Sequence, residues 1–201
     1  KKYLDSKTIT MDPLMIHQTT AAFSNNMALI TPYCTRTVIC TGGAEANETL
    51  LKMLRIAAYK TKTGKSRMLT TINAFHGKTA ATVNLGGKAK WRMYQGPDLP
   101  GHVHVPYGDW KAAEEELKKG DIIAFLCEPI QGEGGVVVPP DDYLPKMREL
   151  CTKYDAYFCL DEVQAGSGRT GYFFAHQYYK GLEPDAFSFA KAMSASLLPV
   201  G

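Results

Sequence analysis

No apolar run in these 201 residues reaches the about 20 needed to span a bilayer as a helix, so the sequence carries no helical membrane segment. Dense blocks of Lys or Arg are also missing. The 23 basic and 20 acidic residues leave a formal charge of +3 spread along the chain, which argues against a nucleic-acid surface. Lys1-Lys2-Tyr3-Leu4-Asp5 lacks the apolar core of a secretory signal. Cysteine is sparse: Cys34, Cys40, Cys127, Cys151 and Cys159 are odd in number and form no CxxC. Cys127 and Cys159 lie inside apolar runs, a pattern that fits buried free thiols in a reducing compartment. The expected location is therefore cytoplasmic, or the mitochondrial matrix in a eukaryote. His102-Val103-His104 has no third metal ligand nearby. Internal repeats and low-complexity tracts are absent too. What is present is an ordinary globular composition, 45% hydrophobic and 21% charged, with enough chain for one sizeable domain.

Residues 1–36 form an N-terminal segment with little regular pattern. Met11-Asp12-Pro13 and Thr31-Pro32-Tyr33 are turn signals, and Ala21 to Ile30 suits a short helix. Regularity begins at residue 37, and residues 37–201 read as one α/β domain. Val38-Ile39-Cys40 is a short β-branched run before Gly42-Gly43. A helix follows with Ala46, Leu50, Met53, Leu54 and Ala57 on one face, a Glu48/Lys52 pair four apart, and Gly64 as its stop. Arg67 to Ile72 suits a strand and Lys78 to Asn84 a short helix, while residues 86–108 read as a long Gly- and Pro-rich loop. Asp109 caps a helix over Trp110 to Lys119, which Gly120 ends. Ile122 to Cys127, Tyr157 to Leu160 and Ala186 to Phe189 are strands, and Tyr143 to Tyr154 is amphipathic. Strands that are apolar throughout and alternate with helices predict a mostly parallel sheet covered on both faces. Ligands in such sheets bind beyond the carboxyl ends of the strands. Glu128, Asp161 and Lys191 all fall there.

The chemistry is carried by short segments at those ends. Thr41-Gly42-Gly43-Ala44-Glu45-Ala46 joins a strand to a helix start, where free amides beside glycines suit a phosphate; a ligand-free tight turn is the alternative. Phe75-His76-Gly77 offers an aromatic that either stacks on a flat ring or packs in the core. Glu128-Pro129-Ile130-Gln131-Gly132-Glu133-Gly134-Gly135 switches abruptly from an apolar strand to glycine and acid. Asp161, at the end of another strand, is costly to bury without a partner. A protonated pyridine nitrogen is a suitable partner. Lys191, in Phe189-Ala190-Lys191-Ala192-Met193, is then the amine that forms a Schiff base with an aldehyde. Together the carboxylate and the lysine are what a pyridoxal 5'-phosphate (PLP) enzyme requires.

The ordered motifs GAEANE, FHG, EPIQGEGGVVVPP, DEVQ-G-GRTG and PD-----AKA resemble those of the class III PLP-dependent aminotransferases. This family includes the ornithine, acetylornithine, 4-aminobutyrate and putrescine enzymes. The resemblance implies a fold type I PLP-transferase large domain and ping-pong transfer of an amino group from an ω-amino donor to a keto acid such as 2-oxoglutarate. It implies Lys191 as Schiff-base lysine and proton shuttle, and Asp161 on the pyridine nitrogen. Gln164 hydrogen-bonds the ring's phenolic oxygen, Phe75 stacks on the ring with His76 beside it, and Gly43 and Ala44 give amides to the phosphate. Glu128 supports the cofactor, and Glu133, a substrate-binding residue, corresponds to a glutamate that in several relatives gates a substrate-binding arginine. A homodimer or larger homo-oligomer is implied as well, with neither nucleic acid nor membrane as partner.

The departures are Gly42 where the family often has Ser or Thr, Ala165 where Thr is usual, and Ser194-Ala195-Ser196 in place of a glycine-rich stretch. Relatives run to roughly twice this length. The expectation is that the small C-terminal domain and its carboxylate-gripping arginine lie outside these residues. Two alternatives remain from sequence: another fold type I reaction such as an aminomutase or decarboxylase, and an inactive domain serving as a binding or structural partner.

Overall fold

The structure is a computed structural model that describes residues 18–61, 63–195, 197 and 199–201. The Met11-Asp12-Pro13 turn and Ser196 lie outside the described residues. By compactness the chain divides into two units, residues 1–37 and 38–201. The first contains helix α1, Gln18–Ile30, which starts three residues earlier than its apolar pattern suggests. Thr31 closes it, with its N–H and its hydroxyl both donating to the Met27 carbonyl at 2.8 Å. The Thr31 turn forms as expected, Cys34 N–H donating back to the Thr31 carbonyl.

The second unit is built on five strands: β1 Arg67–Thr71, β2 His102–Val105, β3 Ile122–Cys127, β4 Tyr157–Asp161 and β5 Ala186–Ser188. They pair in the order β2-β1-β3-β4-β5, every pair parallel. Helices α2 Gly43–Thr61, α3 Ala80–Leu85, α4 Ala89–Arg92, α5 Trp110–Leu117 and α6 Tyr143–Lys153 connect or cover them. All six β3 residues are buried. Alternation along the strands explains why. Leu69, Phe125, Cys127, Phe158 and Leu160 pack with Leu117 of α5 and Leu144, Met147 and Leu150 of α6. Met68, Ala124, Leu126 and Cys159 pack with Leu50, Leu51, Leu54 and Ala58 of α2. The sheet therefore has a core on each face, as the continuous apolar strands predict. Among the described residues no helix is long and apolar enough to cross a membrane.

Several elements differ from the sequence reading. Val38-Ile39-Cys40 is not a strand: Val38 and Ile39 are exposed, and Cys40 instead exchanges backbone hydrogen bonds of 2.6 and 2.9 Å with Gly201. The stretch 86–108 is not a plain loop, since it holds α4 and β2. Four residues of alternating His and Val, flanked by Gly and Pro, are too short to register as a strand without the neighbouring β1. Helix α2 is rotated from the expected face: Asn47, Leu50, Leu51, Leu54 and Ala58 are buried, while Met53 is half exposed. The expected Glu48–Lys52 pair gives way to a contact with α3, in which Glu48 Oε1 accepts from the Thr79 hydroxyl at 2.6 Å and from Ala81 N–H at 3.2 Å. Asp109 caps α5 as expected, accepting from Ala112 N–H at 3.0 Å.

The order of connections positions the site. From β1 the chain moves to β2 on one side, then returns to β3 on the other. This reversal leaves a crevice at the carboxyl ends of β1 and β3, the usual ligand position in an open parallel sheet.

Candidate active site

Asp161 ends β4, lies opposite Ser188 of β5, and is 3% exposed. Its two oxygens are differently occupied. Oδ2 accepts from Asn47 Nδ2 and from His76 Nδ1, each at 2.8 Å. Oδ1 accepts from Val163 N–H at 3.0 Å. A carboxylate oxygen offers two lone pairs, so Oδ2 is filled while Oδ1 keeps one acceptor site free among the described residues.

His76 comes from the turn after β1. Burial pushes its imidazole down, but the Asp161 hydrogen bond and the charges of Asp161 and Glu128 outweigh burial, so it is raised above its ordinary value. With Nδ1 tied to Asp161, its buried Nε2 finds no partner among the described residues. Glu128 follows β3 and is buried, with Oε2 accepting from Phe75 N–H at 3.1 Å and Oε1 from Gly132 N–H at 3.3 Å. Burial drives its carboxyl up to about 7, with the Asp161 charge adding and His76 and the two backbone donors opposing. The Tyr107 hydroxyl fixes this corner by donating to the Glu128 and Pro129 carbonyls, both at 2.9 Å.

Lys191 opens a 3₁₀ turn after β5 with φ of +51°. That left-handed backbone costs a side chain roughly 1–2 kcal/mol and therefore needs local support. Lys191 Nζ donates to Gln164 Oε1 at 3.2 Å, which brings the lysine to the loop that follows Asp161. Gly132 holds Gln164 from the other side: a Cβ on Gly132 would sit 2.3 Å from Gln164 Oε1. At the start of α2, a Cβ on Gly43 would sit 2.6 Å from Val163 Cγ1, so this helix end lies against the segment after β4. The first-turn amides of α2, Gly43 and Ala44 among them, have no intrahelical acceptors. Gly42 precedes them: a methyl group added to it would meet nothing within 4 Å, whereas one added to Gly201 would sit 2.5 Å from the Gly42 carbonyl, so Gly201 packs closely on this turn. Phe75 is half-buried, its ring edge-to-face with Trp91 at 4.8 Å.

The structure thus gathers Asp161, His76, Glu128, Phe75, Gln164, Lys191, Gly43 and Ala44 at one end of the sheet. Glu133 stands apart: it is exposed, its carbonyl accepts from Lys88 Nζ, and its carboxylate makes no bond to the buried cluster among the described residues. Ala195 occupies φ of +51°, the left-handed region, at a place where the resemblance calls for glycine.

Sequence reading missed three contributors to the site. Asn47 and Ser188 are buried beside Asp161, and the signal for Asn47 was its place on the same helical stripe as Leu50, Leu51 and Leu54. Gln131 anchors the glycine-rich loop, its Nε2 donating to Thr71 Oγ1 at 3.1 Å and the Ile72 carbonyl at 2.9 Å. Glu162 serves the fold rather than the site: its carboxylate accepts from Ala175 N–H at 3.0 Å, His176 N–H at 2.9 Å and His176 Nδ1 at 2.7 Å.

This donor set suits a flat heterocycle carrying a phosphate. Asp161 Oδ1 keeps an acceptor site for a ring N–H, the first-turn amides of α2 lack intrahelical acceptors, and an amine is at hand. Known proteins agree with that reading. The family profile described as "Aminotransferase class-III" matches residues 1–201, including the N-terminal segment. The chain is 49% identical to an uncharacterized aminotransferase of Schizosaccharomyces pombe over 201 residues, covering 99% of this chain and 41% of that protein. It is 41% identical to a putrescine aminotransferase of Pectobacterium atrosepticum over 164 residues, 79% of this chain and 34% of that one. The crystal structure of ornithine aminotransferase from Toxoplasma gondii superposes with a TM-score of 0.92 at 31% identity, over 99% of this chain and 48% of that one. The chain therefore spans less than half the length of these relatives. With its family profile matched from end to end and its strand-end carboxylate and lysine brought to one site, the chain belongs to the class-III aminotransferases.

Proposed function

We propose that this chain forms the cofactor seat of a PLP-dependent aminotransferase that moves an amino group from an ω-amino donor to a keto acid such as 2-oxoglutarate. The donor class is that of ornithine, acetylornithine, 4-aminobutyrate or a diamine. The observation that carries the reading is the pairing at the ends of β4 and β5: a buried carboxylate with one acceptor site left, and a lysine amine linked to the same loop through Gln164.

When bound, PLP supplies an electrophilic aldehyde and a protonated ring that withdraws electrons from the carbon beside the transferred nitrogen. The chain's own residues do the rest. Asp161 Oδ1 accepts the ring N–H and keeps that proton in place. The Gly43 and Ala44 amides, at the positive end of α2, hold the phosphate. Gln164 Oε1 accepts from Lys191, leaving its Nε2 to donate to the ring's phenolic oxygen. Phe75 covers a ring face, and Glu128 braces the turn that carries Phe75 and His76. Lys191 Nζ would be the covalent anchor for the aldehyde and, as a free amine, the base that would hold and move a proton. Glu133, exposed on the glycine-rich loop, meets incoming substrate, and a second copy of the chain is the proposed partner.

The test is a PLP titration followed by visible absorbance, then borohydride reduction and peptide mapping. The expected label falls on Lys191 and is lost in Lys191→Ala. A folded chain that develops no visible band and takes up no label would refute the reading.

A further inference from the structure

One buried amide organises the carboxylate. Asn47, 1% exposed on the second turn of α2, has three hydrogen-bond partners from three different segments. Its Nδ2 donates to the His76 carbonyl and to Asp161 Oδ2, both at 2.8 Å, and its Oδ1 accepts from the Ser188 hydroxyl at 2.6 Å. The amide's orientation is not arbitrary. Both partners of Nδ2 are acceptors without hydrogens, so a flipped amide would set oxygen against a carbonyl and a carboxylate. With Nδ2 so directed, Ser188 must be the donor to Oδ1.

The consequence falls on Asp161. Without Asn47, Oδ2 would have a vacant lone pair, and the two carboxylate oxygens would compete for a ring N–H. With Asn47 and His76 both on Oδ2, the free site is confined to Oδ1. We propose that Asn47 is a positioning residue that assigns Asp161 Oδ1 to the cofactor's ring nitrogen, with Ser188 locking the amide that does so. This rests on the cofactor reading above and adds residues to which the sequence motifs assigned no role.

The experiment uses the 201-residue chain with PLP labelled with ¹⁵N in the ring. The ring ¹⁵N shift reports protonation and hydrogen bonding at that atom, which a purely structural role for Asn47 would leave unchanged. In the wild-type chain the shift should be that of a protonated ring. In Asn47→Leu it should move toward the unprotonated value while reduction still labels Lys191. Ser188→Ala, a milder change that keeps the Asn47 amide, should give a smaller movement the same way. Asn47→Asp keeps the shape but sets a carboxyl against Asp161, and two adjacent carboxyls must share a proton. Its PLP affinity should therefore fall about tenfold more than wild type's between about pH 5 and about pH 8. Should Asn47→Leu fail to fold, the other two variants decide the matter. An unchanged ¹⁵N shift in Ser188→Ala and in whichever Asn47 variants fold, with a wild-type pH profile in Asn47→Asp, would overturn the proposal. A wild-type chain that takes no label would instead overturn the cofactor reading itself.

Discussion

Glu128→Gln tests whether the buried acid beside His76 is as unfavourable ionised as its surroundings require. In the fold its carboxyl is pushed up to about 7 from an ordinary 4.5, chiefly by burial. A group whose folded value is raised contributes stability that is full below about pH 4.5 and lost as pH rises through about 7. The gap corresponds to about 3 kcal/mol, at 1.36 kcal/mol per pH unit. Glutamine keeps the shape and cannot titrate, but it has one acceptor oxygen for two N–H donors, Phe75 and Gly132. It should cost about 1 kcal/mol in acid, where the wild type is protonated and better bonded. Above about pH 7 the sign reverses, because the wild type then bears the buried charge and the variant does not. The change also lowers the His76 value, which Glu128 helps to raise, and so flattens the pH dependence further. Urea unfolding of both chains at a series of pH values should give stability curves that cross, their difference changing by about 3 kcal/mol across the range. Parallel curves would refute the reasoning.

Gly132→Ala should leave the urea midpoint nearly unchanged, since the atom its methyl meets is the end of a flexible glutamine, yet weaken PLP about tenfold in an absorbance titration by displacing Gln164 from Lys191. Gly87→Ala should cost about 3 kcal/mol in urea unfolding, because its methyl would sit 2.1 Å from the Thr71 carbonyl oxygen, a backbone atom that cannot yield. Gly42→Ala, whose methyl meets nothing within 4 Å, should stay within about 0.5 kcal/mol of wild type in the same assay.

Strands β3 and β4 were legible because burial on both faces writes them as unbroken apolar runs, and the acids at their ends stood out against that background. Edge strand β2 was hidden because half of its residues are histidines and only the register with β1 makes it a strand. Val38-Ile39-Cys40 misled for the opposite reason, having β-branched residues with no ladder to join. In the site, Asp161 was found because a buried charge at a strand end is costly without a partner, and Lys191 because it supplies the amine that the carboxylate's proposed cofactor needs within the family motif. Asn47 and Ser188 were not, since neutral polar residues carry no such cost until their partners are known, and those partners lie 114 and 141 residues away in the chain. Glu133 shows the converse: its charge was conspicuous in sequence, and the fold leaves it in solvent.

Those separations bear on how the chain acquires its ligand. Asp161 is oriented by groups from α2, from the turn after β1 and, through Asn47, from β5, so no local stretch can prearrange it. Contacts this distant in sequence carry a large loop-closure cost, since the loops between them must close before they form. A chain in which β5 has not yet docked lacks Ser188, and with it the lock on the carboxylate. On the role proposed for Asn47, ligand uptake would then favour molecules that have finished folding. By mass action a ligand at about 100 times its dissociation constant then adds about 2.7 kcal/mol to the completed state alone. Cofactor supply would then set how many molecules survive proteolysis.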